Sequence, residues 1–226
     1  MTKTIAYVLY PGLTALDLVG PLTVTATLGP EFQSVTVAHD LSTVDSDTAL
    51  RVAATTTFGE LTNPYAVVVP GGTSGTLAAC ADETLLDWIR TASAGAEVTA
   101  SVCTGSLILG AAGLLEGRRA TTHWGFRELL ARFGATPVVE RWVEDGSIVT
   151  AAGVSAGIDM ALHLVHRFAG EDAARLAQLV IEYDPEPPFG GIDWSSVDYA
   201  AFAPLTQAVL AESLADHPEL LARLTR

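Results

Sequence analysis

Glu97-Val98-Thr99-Ala100-Ser101-Val102-Cys103-Thr104-Gly105-Ser106 is a β-branched run that halts at a cysteine and resumes as an apolar helix from Leu107. A strand that turns sharply into a helix holds the residue at the turn in a strained, exposed position and needs small neighbours on both sides. Ser101 and Gly105 are those neighbours. The free N–H groups at the start of the next helix favour an anion such as a thiolate. Cys103 is therefore a candidate nucleophile, and the strand that delivers it predicts an α/β sheet with ligands bound beyond the carboxyl ends of its strands.

Outward from this elbow the chain alternates strands and helices. Ala66-Val67-Val68-Val69 reads as a strand buried on both faces of a parallel sheet. It ends in Pro70-Gly71-Gly72-Thr73, where two glycines permit backbone geometry that turns N–H groups toward a ligand. Gly71 and Gly72 are candidate oxyanion donors on that ground. Ile5 to Tyr10 is a similar apolar run, closed by Pro11-Gly12. The segment from Leu13 enters a helix running to Leu28, with Asp17 stranded among aliphatic residues. Two readings of Asp17 stand at this point, a helix cap and an acid beside a catalytic centre. Ser34 to Ala38 is a further strand, and residues 39–58 are short strands and turns, with His39 at a surface strand end.

Residues 82–94 form a helix with acidic residues in its first turn. Cys80, before it, lacks an elbow and reads as a packed small hydrophobe. Leu107 to Ala112 completes a helix that Gly113 ends, and Gly117-Arg118-Arg119-Ala120-Thr121-Thr122-His123-Trp124 leads into another through Leu130. Val138 to Val143 and Ser147 to Ala151 flank Glu144-Asp145-Gly146, a hairpin signal. Gly153-Val154-Ser155 then opens a helix whose apolar stripe is Ile158, Ala161, Leu162, Val165, Phe168 and Ala169. His163 lies away from that stripe and His166 at its edge. With no acidic or cysteine ligands beside them, no metal is expected. Glu171 to Tyr183 is helical, residues 186–191 are irregular, and Val197 to Leu214 and Pro218 to Leu224 are helical again. The segment with Trp194 and Tyr199 packs either over a site or on a second subunit.

The chain has 226 residues, enough for one domain with a core over about 4–183 and a helical extension over about 195–226. Lys and Arg number 12 against 26 Asp and Glu, a net charge of −14, so nucleic acid and anionic membrane surfaces are not expected partners. The apolar run after Lys3 is too short for a signal-peptide core or a membrane span, and a cytoplasmic location is the expectation. Two cysteines do not make a disulfide framework.

Three loops leave the carboxyl ends of the predicted parallel strands, carrying Asp17, Gly71-Gly72 and Cys103, with the Gly153 loop as a fourth wall. A carboxylate and a thiol brought together share one proton over an intermediate pH range. A cysteine hydrolase would need a histidine base, yet Thr104 follows the cysteine. Its hydroxyl suits addition chemistry by hydrogen-bonding a substrate atom or water. His123 is the weaker alternative base.

Pro70-Gly71-Gly72, the Ser101-to-Ser106 elbow and the Gly117-to-Trp124 segment resemble the PfpI-like intracellular protease superfamily. Asp17-Leu18-Val19-Gly20-Pro21, the Cys103-Thr104 pair, and Tyr183-Asp184-Pro185 with Pro187-Pro188-Phe189 resemble, within it, the isonitrile hydratase family. The resemblance implies a flavodoxin-like three-layer sandwich and cofactor-independent hydration of a small-molecule isonitrile to an N-substituted formamide. Cys103 would be the nucleophile through a thioimidate, Asp17 and Thr104 its catalytic partners, and Gly71, Gly72 and Gly153 the substrate-binding backbone. It also implies a homodimer. Another thiol enzyme acting on glyoxals or peptides, and a non-enzymatic thiol sensor or ligand-binding protein, remain the competing expectations.

Overall fold

The computed structural model describes residues 2–225. Its main sheet has seven strands: β1 Lys3–Val8, β2 Phe32–Ala38, β3 Thr56–Thr57, β4 Ala66–Val69, β5 Val98–Ser101, β6 Trp142–Asp145 and β7 Ile148–Ala151. They lie in the order β6-β7-β5-β4-β1-β2-β3. All neighbours run parallel except β6 on β7. Every residue of β4, β5 and β7 is buried, which is why these segments read as unbroken small and β-branched runs rather than as alternations.

Helices cover both faces. α1 Ala15–Thr25, α5 Ala156–Ala169 and α6 Glu171–Val180 pack together on one side. α2 Ser74–Ala79, α3 Glu83–Gly95 and α4 Gly105–Ala111 pack with a 3-10 helix, Trp124–Phe133, on the other. α7 Tyr199–Ser213 and α8 Pro218–Thr225 add to this second group through the 3-10 helix and α2. The result is the mostly parallel sheet covered on both faces that the alternation of elements predicts, and the three-layer flavodoxin-like sandwich that the resemblance implies.

Several local expectations are corrected. Only Trp142 onward joins the sheet from the segment beginning at Val138; Thr136–Pro137 pairs instead with Arg119–Ala120, and Val138 N–H donates to Ala120 O at 2.9 Å. The hairpin turn is Gly146-Ser147, with Gly146 at φ 68°, while Glu144 and Asp145, expected in the turn, pair in the ladder with Val149 and Ile148. The segment after His123 winds as a 3-10 helix and ends at Gly134, whose φ is 79°. α1 ends at Thr25, where Thr27 Oγ1 satisfies the Val24 carbonyl at 2.7 Å and closes the turn. α6 ends at Val180, and Glu182 beyond it adopts φ 48°.

The buried face of α5 is also rotated from the expected stripe. Ala156, Gly157, Met160, Ala161, Leu164 and Val165 are its buried residues, while Ile158, Leu162 and Phe168 are half-buried and Ala169 is exposed. α5 lies between α1 and α6, so apolar residues are needed on more than the side facing the sheet. His163 has a packing role: it stacks on Trp142 with ring centroids 4.2 Å apart and meets Glu144 at 2.6 Å.

The elbow requires Gly105. A Cβ there would meet the Val69 carbonyl oxygen and both atoms of the Pro70 carbonyl, all backbone and unable to swing aside. Gly105→Ala is expected to destabilise the fold by roughly 1–3 kcal/mol, the usual range for forced overpacking, read as a lower denaturant midpoint.

Candidate active site

Cys103 sits between β5 and α4 at φ 56°, one of two non-glycine residues with positive φ among those described. This left-handed geometry is unfavourable by roughly 1–2 kcal/mol for an L-residue and persists only where surroundings impose it. Here they do. Val102 N–H donates to Val69 O at 3.0 Å, Cys103 N–H to Ala152 O at 3.0 Å, and the Cys103 carbonyl accepts from Thr122 Oγ1 at 2.8 Å. The turn is thus pinned by the ends of β4 and β7. The expected exposure of the thiol is corrected, since Cys103 is only 5 % exposed.

Asp17 stands in the first turn of α1, entirely buried. It does not cap its helix. That role belongs to Asp47, which accepts from Thr14 Oγ1 at 2.8 Å and from Ala15 N–H at 3.1 Å. Asp17 Oδ2 instead accepts from Gly71 N–H at 3.0 Å, across 54 residues of sequence. Oδ1 has no partner satisfying it, although the carboxyl and the Cys103 thiol interact closely enough to perturb each other.

Burial pushes the Asp17 carboxyl up to about 7, against the opposing effects of the Gly71 N–H and the Cys103 thiol; the Asp47 charge adds to the rise. Burial, joined by the neighbouring Asp17 charge, likewise pushes the thiol up to about 12. The N–H groups of Val154 and Thr104 face the sulfur and oppose that rise. Desolvation therefore outweighs the helix-start donors, contrary to the simple expectation of a thiolate. Between these limits the pair holds one proton.

The Gly71 and Gly72 donors are occupied within the protein. Gly71 N–H serves Asp17, and Gly72 N–H donates to Thr104 Oγ1 at 3.0 Å. Thr104 Oγ1 in turn donates to Gly72 O at 2.6 Å and lies 3.0 Å from Thr76 Oγ1. The two glycines thus frame the carboxylate and the threonine rather than offering free donors. Gly153 also differs from expectation. Its role is space, since a Cβ there would come 2.9 Å from His123 Cδ2, and it is the next residue, Val154, whose N–H faces the sulfur.

The DJ-1/PfpI family model matches residues 3–167. The chain belongs to the DJ-1/PfpI family. It is 46% identical over 208 residues to an isonitrile hydratase from Pseudomonas putida, an alignment spanning 92% of this chain and 89% of that protein. Among solved structures it resembles a ThiJ/PfpI family protein from Pseudomonas syringae, at TM-score 0.87 and 38% identity over 100% of this chain and 92% of that one. DJ-1beta from Drosophila melanogaster shares the fold at TM-score 0.73 and 18% identity, covering 82% of this chain and all of that one.

In this member of the DJ-1/PfpI family, His123 is engaged as a cap. Its Nδ1 accepts from Gly125 N–H at 3.2 Å, its ring packs on Gly153, and burial with the nearby Arg127 charge lowers its pKa. His163 and His166 have ring centroids 6.5 Å apart. Among the described residues no group of three His, Cys, Asp or Glu is placed to hold a metal. Functional residues with no role assigned from the sequence are Thr76, Tyr10 and Asp47, while Val154 and Thr122 lie in segments the sequence does mark, the Gly153 loop and the Gly117-to-Trp124 stretch. Each acts through backbone or hydroxyl contacts between distant segments, and the first three carry no local sequence signal.

Proposed function

We propose that this DJ-1/PfpI family protein is an isonitrile hydratase, converting R–N≡C and water to the formamide R–NH–CHO. The observation that carries the reading is the buried Asp17–Cys103 pair, together with the similarity to the Pseudomonas putida enzyme. The carboxylate takes the thiol proton as sulfur bonds to the terminal isonitrile carbon. The protonated carboxyl then delivers that proton to the same carbon, leaving the thioimidate R–N=CH–S–Cys103. Asp17, again a carboxylate, takes a proton from the water that attacks this carbon, and the proton passes to nitrogen. Collapse of R–NH–CH(OH)–S–Cys103 expels the sulfur with its proton and releases the formamide. One carboxyl thus acts alternately as base and acid, while the Val154 and Thr104 N–H groups steady the developing thiolate.

Hydrolysis of an amide is less well supported, because the one histidine nearby is engaged as a helix cap. A sensor thiol would be exposed and low in pKa, and Cys103 is neither. The test is formation of N-cyclohexylformamide from cyclohexyl isocyanide, assayed beside loss of methylglyoxal. Formamide production supports the reading, and methylglyoxal consumption alone overturns it.

The protonation states fix a pH dependence. Asp17 must be ionised to take the thiol proton, so kcat/KM is expected to rise about tenfold per unit below pH 7 and level off above it. A profile falling across that range would place the required proton on the wrong group.

We propose further that the protein is a cytoplasmic homodimer. Both cysteines are free thiols, no helix among the described residues is long and apolar enough to cross a membrane, and α6 exposes Leu176, Leu179 and Val180 along one face. Sedimentation velocity would give the assembly state directly.

A further inference from the structure

Tyr10, Thr76 and Thr104 form a buried chain of three hydroxyls that ends at the Gly71-Gly72 loop. A hydroxyl has one hydrogen and two lone pairs, whereas a carbonyl only accepts. Tyr10 Oη therefore gives its hydrogen to Pro70 O at 2.8 Å, and Thr104 Oγ1 gives its hydrogen to Gly72 O at 2.6 Å. One lone pair of Thr104 Oγ1 is taken by the Gly72 N–H at 3.0 Å. The other faces Thr76 Oγ1 at 3.0 Å, and because Tyr10 and Thr104 both give their hydrogens to carbonyls, the single hydrogen of Thr76 serves one of these two neighbours. Every tetrahedral direction at Thr104 Oγ1 thus faces a protein atom.

A hydroxyl so engaged has no valence left for a substrate atom. What it holds is the loop. Gly71 is wedged between Thr104 and Asp17, since a Cβ on it would lie 2.8 Å from Thr104 Oγ1 and 2.7 Å from Asp17 Oδ2. Gly71 N–H is the donor that fixes the Asp17 carboxyl. We infer that Thr104 and Thr76, backed by Tyr10, are positioning residues that clamp the Gly71-Gly72 loop and so hold Asp17 against Cys103. The inference concerns the site of the proposed hydratase, but its geometry holds for any chemistry run by that pair.

If Thr104 instead touched substrate, Thr76 would be dispensable. If the two act as one clamp, each single loss removes the same support, and the losses do not multiply. Thr76→Val and Thr104→Val are each expected to lower kcat/KM for cyclohexyl isocyanide about tenfold, with the double variant no worse than the poorer single one. Thr76→Ser keeps the hydroxyl and should restore most of the activity. Loosening the Gly71 donor removes an interaction that favours the ionised carboxyl, so the acid limb of the profile should move up by about one pH unit in both valine variants.

Carbamidomethylation of Cys103 by iodoacetamide, which releases iodide, followed by mass spectrometry of its peptide, reports the same limb without any isonitrile. That second readout separates the clamp from the substrate assignment: an unmoved limb in Thr76→Val overturns the clamp even if turnover is robust. A moved limb with no formamide from the wild type sustains the clamp and overturns the hydratase reading. Multiplicative losses in the double variant would also overturn the clamp.

Discussion

Cys103→Ala is expected to abolish formamide production, lowering turnover by at least about 10⁴-fold, as removal of a covalent nucleophile does where the other groups act only through it. The fold should persist, because the φ 56° of residue 103 is imposed by bonds from its own backbone to Ala152 and Thr122 that alanine retains. Circular dichroism and a denaturant midpoint near that of the wild type would establish this. The same chemistry gives a positive signature in the intact wild-type thiol. Where hydrolysis of the thioimidate is slowed, intact-mass spectrometry should find an adduct equal to the whole isonitrile, since the addition expels no group. Residual turnover within a hundredfold of wild type in Cys103→Ala would remove the cysteine from the mechanism.

Asp17→Asn is expected to lose roughly 10³-fold in kcat, within the range for a general acid–base group, and to gain stability. The folded carboxyl titrates near 7, above its ordinary 3.8. Between those values the native state binds more protons than the unfolded chain, so stability falls as pH rises through that window and stays lower above it. Asparagine retains an oxygen for the Gly71 N–H and carries no charge. The variant should therefore exceed the wild type by roughly 2–4 kcal/mol at pH 8, and the difference should vanish below about pH 4. Thermal melts at the two pH values check both statements. A wild type that is the more stable protein at pH 8 would mean that the buried carboxylate is better satisfied than its unpartnered Oδ1 indicates.

Much of the architecture was legible because buried parallel strands leave a strong local trace. Ala66–Val69 and Ile5–Val8 could be recognised from their own composition, since both faces of such strands must be apolar or small. Segments whose partners are supplied from elsewhere were less legible. Residues 138–141 have the composition of a strand yet stay off the main sheet, because their neighbours pair with Arg119–Ala120. The buried face of α5 departs from its sequence stripe for the same reason, since packing against α1 and α6 demands apolar residues outside a single stripe.

The sequence by itself determined that a cysteine would stand at a strand-to-helix turn, because a β-branched run stops there and the small residues Ser101 and Gly105 flank it. It also marked Asp17 as an anomaly, a charge among aliphatic residues. Only the tertiary structure decided what these features mean. It assigned the cap to Asp47 and freed Asp17, turned the Gly71 and Gly72 donors inward, and buried the thiol so that desolvation governs its proton. The physical reason is range. Strand and turn preferences act over a few neighbouring residues, whereas hydrogen-bond partners and desolvation depend on segments brought together from across the chain.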